Sequence, residues 1–444
     1  MAHNSDTIVA LATAAGRSAI AVVRLSGPST RAIVAALCGS VPPARRASLR
    51  TVRDERGDVL DHALVLFFAE PAGFTGEDAA EFHLHGGQAV VSSVVRALID
   101  TGLCRLAEPG EFSRRAFLNG KLDLTAAEGI ADLIDAETEA QRRQAVRQLE
   151  GVLANAVEDW RERLLQAMAF IEASLDFSDE GDIPDGLVER GIDAALAVQA
   201  EIKVVLESAK TGERLREGFA VAIVGPPNAG KSTLLNRIAG RDVAIVSPLA
   251  GTTRDAIEVR CDLGGIPVTF IDTAGLRDTD DPIEREGVAR ALARATDADV
   301  ILQLRASDDS SHDMIMPDLA SMDHRIVAVR TKADIAPPSL SDEATITISA
   351  VTGEGIDALL AAVQQRVGVH SSHAGLITRE RHRRALSDTV GHLDRVAFAS
   401  TIAFDSELVA EDLRLALRSL GGITGKVNVE DMLDRLFSGF CIGK

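Results

Sequence analysis

Tyrosine is absent from the 444 residues, tryptophan occurs once, and aromatic residues make up only 3% of the chain. With so few rings and no amphipathic basic-aromatic stretch, the chain lacks the material of a membrane-surface helix. Long apolar runs are missing too: no segment approaches the roughly 18 uninterrupted apolar residues of a membrane span. The start, MAHNSDTIVALAT, has no basic segment followed by a long apolar core and therefore reads as no secretory leader. The four cysteines, Cys38, Cys104, Cys261 and Cys441, are far apart, with no CxxC and no metal-like pairing. That usage fits a reducing cytosol, and the expected location is cytoplasmic. A basic excess is also lacking. The net charge is −19, which argues against a general nucleic-acid coat protein.

What is present is ordinary globular material, 46% hydrophobic and 25% charged, in a length that suggests about three domains at roughly 150 residues each. The acidic excess is local. Residues 1–120 carry 12 basic and 12 acidic side chains and residues 371–444 carry 10 of each, so the imbalance lies wholly in 121–370. A polyanionic partner would meet the outer segments.

The texture changes three times along the chain. Over 6–120 the runs IVALAT, AIAVVRLSG, ALVLFFAEP and AEFHLHGG are strand-like, while 87–101 has helical apolar spacing. From 121 the apolar residues recur every three to four positions with few breakers, which predicts long helices. Strands and helices alternate again from near Gly218 to about 370, and helical spacing returns from 377. The expected fold is multidomain, α/β plus all-α: an N-terminal α/β domain (1–120), a helical domain split into 121–213 and 377–444, and an inserted Ras-like P-loop domain (214–376). Turn residues at 178–186 and 371–375 suit the joints.

The inserted domain carries the clearest chemistry. FAVAIVGPPNAGKSTLLNRIAG (219–240) reads as strand, glycine loop and helix, with Gly225, Gly230, Lys231 and Ser232 in the G-x-x-x-x-G-K-[ST] frame. Glycines let backbone N–H groups converge on phosphate oxygens, Lys231 neutralises β/γ-phosphate charge, and Ser232 is placed to ligate Mg²⁺. Four elements follow in order. GTTRD (251–255) offers Thr253 to Mg²⁺ and the γ-phosphate. DTAG (272–275) ends the run VTFID, so that Asp272 acts through the metal's water shell and the Gly275 N–H meets the γ-phosphate. TKAD (331–334) presents Asp334 as a fork for two guanine donors, and Ser349-Ala350 places a backbone donor near guanine O6. In this order the set predicts a guanine-nucleotide-binding module.

Three positions depart from the commonest GTPase pattern. Thr331 stands where an asparagine usually ties the base loop to the phosphate loop, predicting retained guanine specificity with a weaker grip. Leu276 stands where Ras-like proteins carry the glutamine that orients the attacking water, so either the protein barely hydrolyses GTP or another residue places the water. The loop offers Asp278, Asp280, Asp281, Glu284 and Glu286, and residue type alone barely ranks them. Asn228, inside the phosphate loop, has a carbonyl oxygen suited to a monovalent cation beside the β- and γ-phosphates.

GPPNAGKS, GTTRD, DTAGLR, FTGEDAAEFHLHGG (74–87), PGEFSRRAFLNGKLDLTAAEGIADLIDA (109–136) and the terminal CIGK together resemble the MnmE (TrmE) family of tRNA-modification GTPases over essentially the whole chain. The resemblance implies a cytoplasmic homodimer whose GTPase domains are stimulated by potassium. It implies an FAD-binding MnmG-type partner, in a heterotetramer or larger complex, with which the family adds a carboxymethylaminomethyl-type group to C5 of the wobble uridine of certain tRNAs. It places K⁺ on Asn228, Ser247, Leu249 and Thr252, makes Glu284 the water-orienting carboxylate, and gives Arg277 and Thr252 supporting catalytic roles. Nucleotide contacts implied beyond those above include Ala229, Thr233, Ser247, Thr273, Ala274 and Lys332. A formyl-tetrahydrofolate-type carrier is expected at Arg24, Glu81, Lys121 and Lys444: a carboxylate suits the pterin's donor edge and cations suit the anionic glutamyl tail.

Other features have plainer readings. His83 and His85 share a strand face, but no third metal ligand accompanies them. The arginines of RRQAVR (142–147) and RERHRRAL (379–386) face either solvent or tRNA phosphates. In the closing FSGFCIGK, Phe437, Phe440 and Ile442 read as packed residues and Cys441 as a small core residue or a positioned thiol. A regulatory GTPase of ribosome assembly is the alternative function, and a membrane-remodelling GTPase the third; no appended RNA-binding domain and no membrane segment supports either.

Overall fold

The computed structural model describes residues 6–176, 186–226, 228–245, 258–272, 298–308, 325–335, 345–368, 375–399, 406–427 and 430–443. They fall into two compact units: Met1–Ala131 with Ala154–Arg161 and Leu417–Lys444, and Asp132–Leu153 with Glu162–Ala416. The two ends of the chain thus share a unit.

The first unit is built on a six-stranded sheet, β1 (Thr7–Leu11), β2 (Ile20–Ser26), β3 (Ser48–Arg53), β4 (Val59–Phe68), β5 (Ala79–His85) and β6 (Cys104–Leu106), in the order β3-β4-β5-β2-β1-β6. All pairings are antiparallel except β1 with β6. Alternation sorts the side chains: Val23, Leu25, Val65, Phe67, Phe82 and Leu84 turn to one face and pack with Ile33 and Leu37 of α1 (Thr30–Cys38) and Val94 and Leu98 of α2 (Gln88–Asp100). On the opposite face Ile8 and Ala10 of β1 meet Phe112 of α3 (Glu111–Leu118). The four strand-like runs named from sequence became β1, β2, β4 and β5. The short strands β3 and β6, and the helices α1 and α3, were missed.

Four helices follow before the second sheet: α4 (Leu124–Asp135), α5 (Glu139–Leu149), α6 (Val152–Asp176) and α7 (Leu187–Glu207), with a shorter α8 (Ala209–Glu217). Thr138 starts α5 with a capping box, its hydroxyl accepting from the Gln141 N–H while the Gln141 side chain accepts from the Thr138 N–H. In the second unit α8 lies close under residues 375–377. A Cβ on Gly212 would meet the Ile377 carbonyl at 2.0 Å, so only glycine fits there.

The second sheet has the order β12-β11-β10-β7-β9-β8, from β7 (Phe219–Val224), β8 (Glu258–Leu263), β9 (Ile266–Asp272), β10 (Val300–Ala306), β11 (Ile326–Thr331) and β12 (Ile346–Thr347). All neighbours run parallel except β8 with β9. Parallel strands buried on both faces need continuous apolar runs, and FAVAIV, VILQLRA and IVAVRT supply them. The core joins Val221, Ile223, Leu234, Phe270, Leu302, Val329 and Val363 across the sheet, α9 (Lys231–Ala239) and the helix Ile356–Val367. Because the strands are parallel, the carboxyl ends of β7, β9, β10, β11 and β12 lie on one edge, where such sheets bind ligands.

Candidate functional site

At that edge the glycine loop leaves β7 and enters α9. Gly225 is forced by proximity, since a Cβ would sit 2.6 Å from the Leu304 carbonyl, and Gly230 caps α9 at φ +89°. Lys231 donates to the carbonyls of Gly225 (2.7 Å) and Pro226 (2.9 Å), holding its ammonium within the loop. Burial pushes the Lys231 pKa down, against the opposing pull of Asp272. An anion bound at the helix N-terminus would relieve that cost. Ser232 Oγ donates to Asp272 Oδ2 at 2.9 Å, with Asp272 itself buried at the end of β9. A hydroxyl and a carboxylate so close fit one small divalent cation, one as a direct ligand and the other through its water shell. Asn228 is exposed, with φ +63°, Ala229 is buried, and Thr233 is exposed on α9.

On the other side of β10 the second loop leaves β11. Thr331 is 2% exposed, and its hydroxyl donates to the Ala229 carbonyl at 2.7 Å. The tie between base loop and phosphate loop, assigned in sequence to the missing asparagine, is therefore made by threonine. Lys332 takes a left-handed φ of +61°, and Asp334 accepts from Ser349 Oγ at 2.6 Å. Ser349 is fully buried, accepts from the Thr352 N–H, and is followed by the half-buried Ala350. Together these contacts orient a carboxylate and a backbone donor on one strand edge.

Ser247, Leu249, Thr252, Thr253, Thr273, Ala274, Gly275, Leu276, Arg277, Glu284, the other acidic residues of that loop and Lys444 lie outside the described residues.

In the first unit, Arg24 and Glu81 face each other across the β2–β5 register. Arg24 donates to Glu81 Oε1 from Nε (3.0 Å) and Nη2 (2.9 Å), and from Nη1 to the Gly443 carbonyl (3.4 Å). Its guanidinium lies over the rings of Phe74 and Phe112, at 5.9 and 5.8 Å from their centroids. Lys121 is exposed beside the loop that contains Gly76. A paired cation and carboxylate flanked by two rings suit a flat, polar heteroaromatic ligand. Phe74, Phe112 and the main chain of Gly443 were not named from sequence; the FTG and GEF stretches that hold the two phenylalanines were the available signal.

The tail differs from its expectation in part. Phe437 is 2% exposed and packs with Phe440, Leu433, Leu124 and Ala127. Cys441 and Ile442, however, are exposed rather than in the core, Ile442 at 58%. The reason is a switch from side-chain to main-chain docking. Ile442 bridges to Pro109, the Gly110 N–H donates to the Cys441 carbonyl, and a Cβ on Gly443 would lie 2.5 Å from the Leu11 carbonyl.

His83 and His85 each meet a carboxylate, Glu81 at 3.4 Å and Asp61 at 2.7 Å. Among the described residues no group of three or more His, Cys, Asp and Glu is placed to hold a metal, and no helix is long and apolar enough to cross a membrane. The arginine clusters are engaged internally: Arg142 and Arg143 with Glu139, Arg379 with Asp132, Arg383 with Glu213 and Arg384 with Glu380.

A glycine loop running into a helix N-terminus beside a hydroxyl–carboxylate pair, on the carboxyl edge of a mainly parallel sheet, defines a P-loop nucleotide-binding protein. The model "GTP-binding protein TrmE N-terminus" matches residues 7–121, and "MnmE helical domain" matches residues 124–441. The chain belongs to the MnmE (TrmE) family. It is 56% identical to the tRNA modification GTPase MnmE of Methylorubrum populi, across 99% of this chain and 98% of that one. The proteins of the same name from Methylobacterium sp. strain 4-46 and Parvibaculum lavamentivorans are both 53% identical, over 99% of this chain and 100% of theirs.

Proposed function

We propose that this protein is a GTP hydrolase acting in tRNA modification. The observation that carries the reading is the single strand edge on which Lys231, the Ser232–Asp272 pair and the Thr331–Asp334–Ser349 set converge, in a chain whose relatives bear that name over their full length. The protein's own groups divide the work. The loop from Asn228 to Ser232 takes the phosphates, and Asp334 and the Ala350 N–H read the guanine edge. Ser232 and Thr253, supported by Asp272, would hold Mg²⁺, which would supply charge neutralisation at the phosphates. Glu284 orients the attacking water in place of the glutamine that Leu276 displaces, with Arg277 and Thr252 in support. Asn228, Ser247, Leu249 and Thr252 would hold K⁺, which would supply positive charge to stabilise the transition state.

The finer reading follows the family resemblance. The protein is a cytoplasmic homodimer that works with an FAD-dependent MnmG-type partner on C5 of the wobble uridine, and its N-terminal domain carries a formyl-tetrahydrofolate-type cofactor. Arg24, Glu81, Lys121 and Lys444 hold that carrier, a reading supported by the Arg24 bond to the Gly443 carbonyl.

The direct test is GTP hydrolysis by the purified protein in matched potassium and sodium salts, for wild type and Glu284→Ala. The expected result is faster turnover in potassium and loss of most turnover in the variant with GTP binding retained. Equal rates in the two salts would refute the cation site, and undiminished turnover in the variant would refute the role of Glu284.

A further inference from the structure

The end of β10 carries two residues that no nucleotide motif includes, Ser307 and Asp308, and both hold the guanine-reading loop. The β10–β11 ladder closes on the pair Ala306–Thr331. One residue further, Ser307 gives two hydrogen bonds to one oxygen: its N–H reaches the Thr331 carbonyl at 2.9 Å and its hydroxyl reaches the same carbonyl at 2.7 Å. A carbonyl oxygen has two lone pairs, so both are taken and the 331–332 peptide plane is fixed from one side. From the other side the Thr331 hydroxyl is held by Ala229. The next residue, Lys332, is where the chain turns into the left-handed region, at φ +61°. Such a turn is costly for a residue with a β-carbon and must be held by its surroundings. Asp308 supplies a second restraint there, both its oxygens meeting Lys332 Nζ at 3.0 and 2.9 Å.

Three residues beyond the clamped carbonyl stands Asp334, the carboxylate proposed to read guanine, already aimed by Ser349. The orientation of the 331–332 peptide decides where that carboxylate comes to rest. A two-pronged bond to guanine N1–H and N2–H tolerates little rotation, whereas a one-pronged bond tolerates more.

We propose that Ser307 is a positioning residue for guanine specificity, with Asp308 as its auxiliary: the end of β10 acts as a bracket that sets the angle at which the TKAD loop presents Asp334. Threonine in place of asparagine at 331 makes the bracket more important here. Its single hydroxyl proton is spent on Ala229, leaving the carbonyl side of the loop to Ser307. The proposal rests on the reading of 331–334 as a guanine-binding loop.

The test is competition of GDP, IDP and ADP against a fluorescent GDP analogue on the full-length protein, for wild type, Ser307→Ala, Ser307→Thr and Asp308→Asn. IDP lacks the exocyclic amine and so forms only one prong. Loss of a neutral hydrogen bond should weaken GDP binding by about fivefold in Ser307→Ala. Loss of the exposed ion pair should weaken it by about two- to threefold in Asp308→Asn. The diagnostic result is a fall in the GDP-to-IDP affinity ratio in Ser307→Ala that Ser307→Thr restores. A merely structural role would weaken GDP and IDP equally, and that result overturns the proposal, as does a Ser307→Ala protein with wild-type affinities. If wild type itself binds ADP as well as GDP, the guanine reading fails, and the proposal with it. Guanine preference in wild type with unchanged ratios in the variants removes the proposal alone.

Discussion

Thr331 shows how much one hydroxyl does at this edge. Its bond to the Ala229 carbonyl spans two loops more than ninety residues apart in sequence, in a place closed to water. Thr331→Val keeps the shape but leaves that carbonyl without its donor, a loss of about 1–3 kcal/mol. Affinity for GDP should fall by roughly tenfold or more in a fluorescence titration; an unchanged affinity would mean that the two loops are independent. Glu111 makes a comparable point in the first unit. It accepts from Arg105 at 2.6 Å and Arg115 at 2.9 Å, and Asp6 accepts from the same two arginines. Burial raises the Glu111 and Asp6 pKa values, but the arginine hydrogen bonds outweigh it and both carboxyls end below their ordinary values. A depressed folded pKa contributes stability that is present above the unfolded value and lost as pH falls towards the folded one. Glu111→Gln should therefore destabilise at pH 7 by about 1–3 kcal/mol, because the buried Arg115 loses one of its carboxylate partners while keeping Asp6 and Glu77. Its urea midpoint should also fall less than that of wild type as the pH is lowered through 4.5, the ordinary glutamate value.

Among the elements, those with a strong period or a rigid local signature were legible in the sequence. The phosphate loop was, because its glycines, lysine and serine recur at a fixed short spacing. So were β2, β4 and β5, whose alternation is set by one buried face, and β1, whose short apolar run is buried on both. The three-residue β6 and the arginine-bearing β3 were not, since neither carries enough apolar residues to show a period. Ser307 and Asp308 were invisible for another reason. Their partners are 24 residues away, and only the parallel register of β10 with β11 brings them together. The Arg24–Glu81 pair likewise comes from the β2–β5 register, so composition reveals two ligand-type residues but not that they bind each other. At this scale the C-terminal helix Glu430–Ser438 depends on one glycine. Gly110 has φ +66°, and a Cβ there would lie 2.6 Å from the Phe437 carbonyl. Gly110→Ala should loosen residues 430–443, raising their amide hydrogen exchange while leaving β7 and α9 unchanged. Unaltered exchange in 430–443 would show that the tail is held by its phenylalanines alone.

For the whole molecule, the chain pairs a nucleotide site on one compact unit with a ring-flanked Arg–Glu site on the other, and brings its own C-terminal residues to the latter. Such an arrangement makes sense if GTP turnover serves chemistry elsewhere. The phosphate loop is therefore where the central claim is most exposed, and Lys231→Ala removes the charge on which it depends. Nucleoside mass spectrometry should be run on bulk tRNA from a strain deleted for this gene and carrying either the wild-type or the Lys231→Ala protein. Restoration of the tRNA modification lost in the deletion strain by the wild type alone is the predicted result; equal restoration by both proteins, or no tRNA modification lost on deletion, would contradict a GTPase acting in tRNA modification.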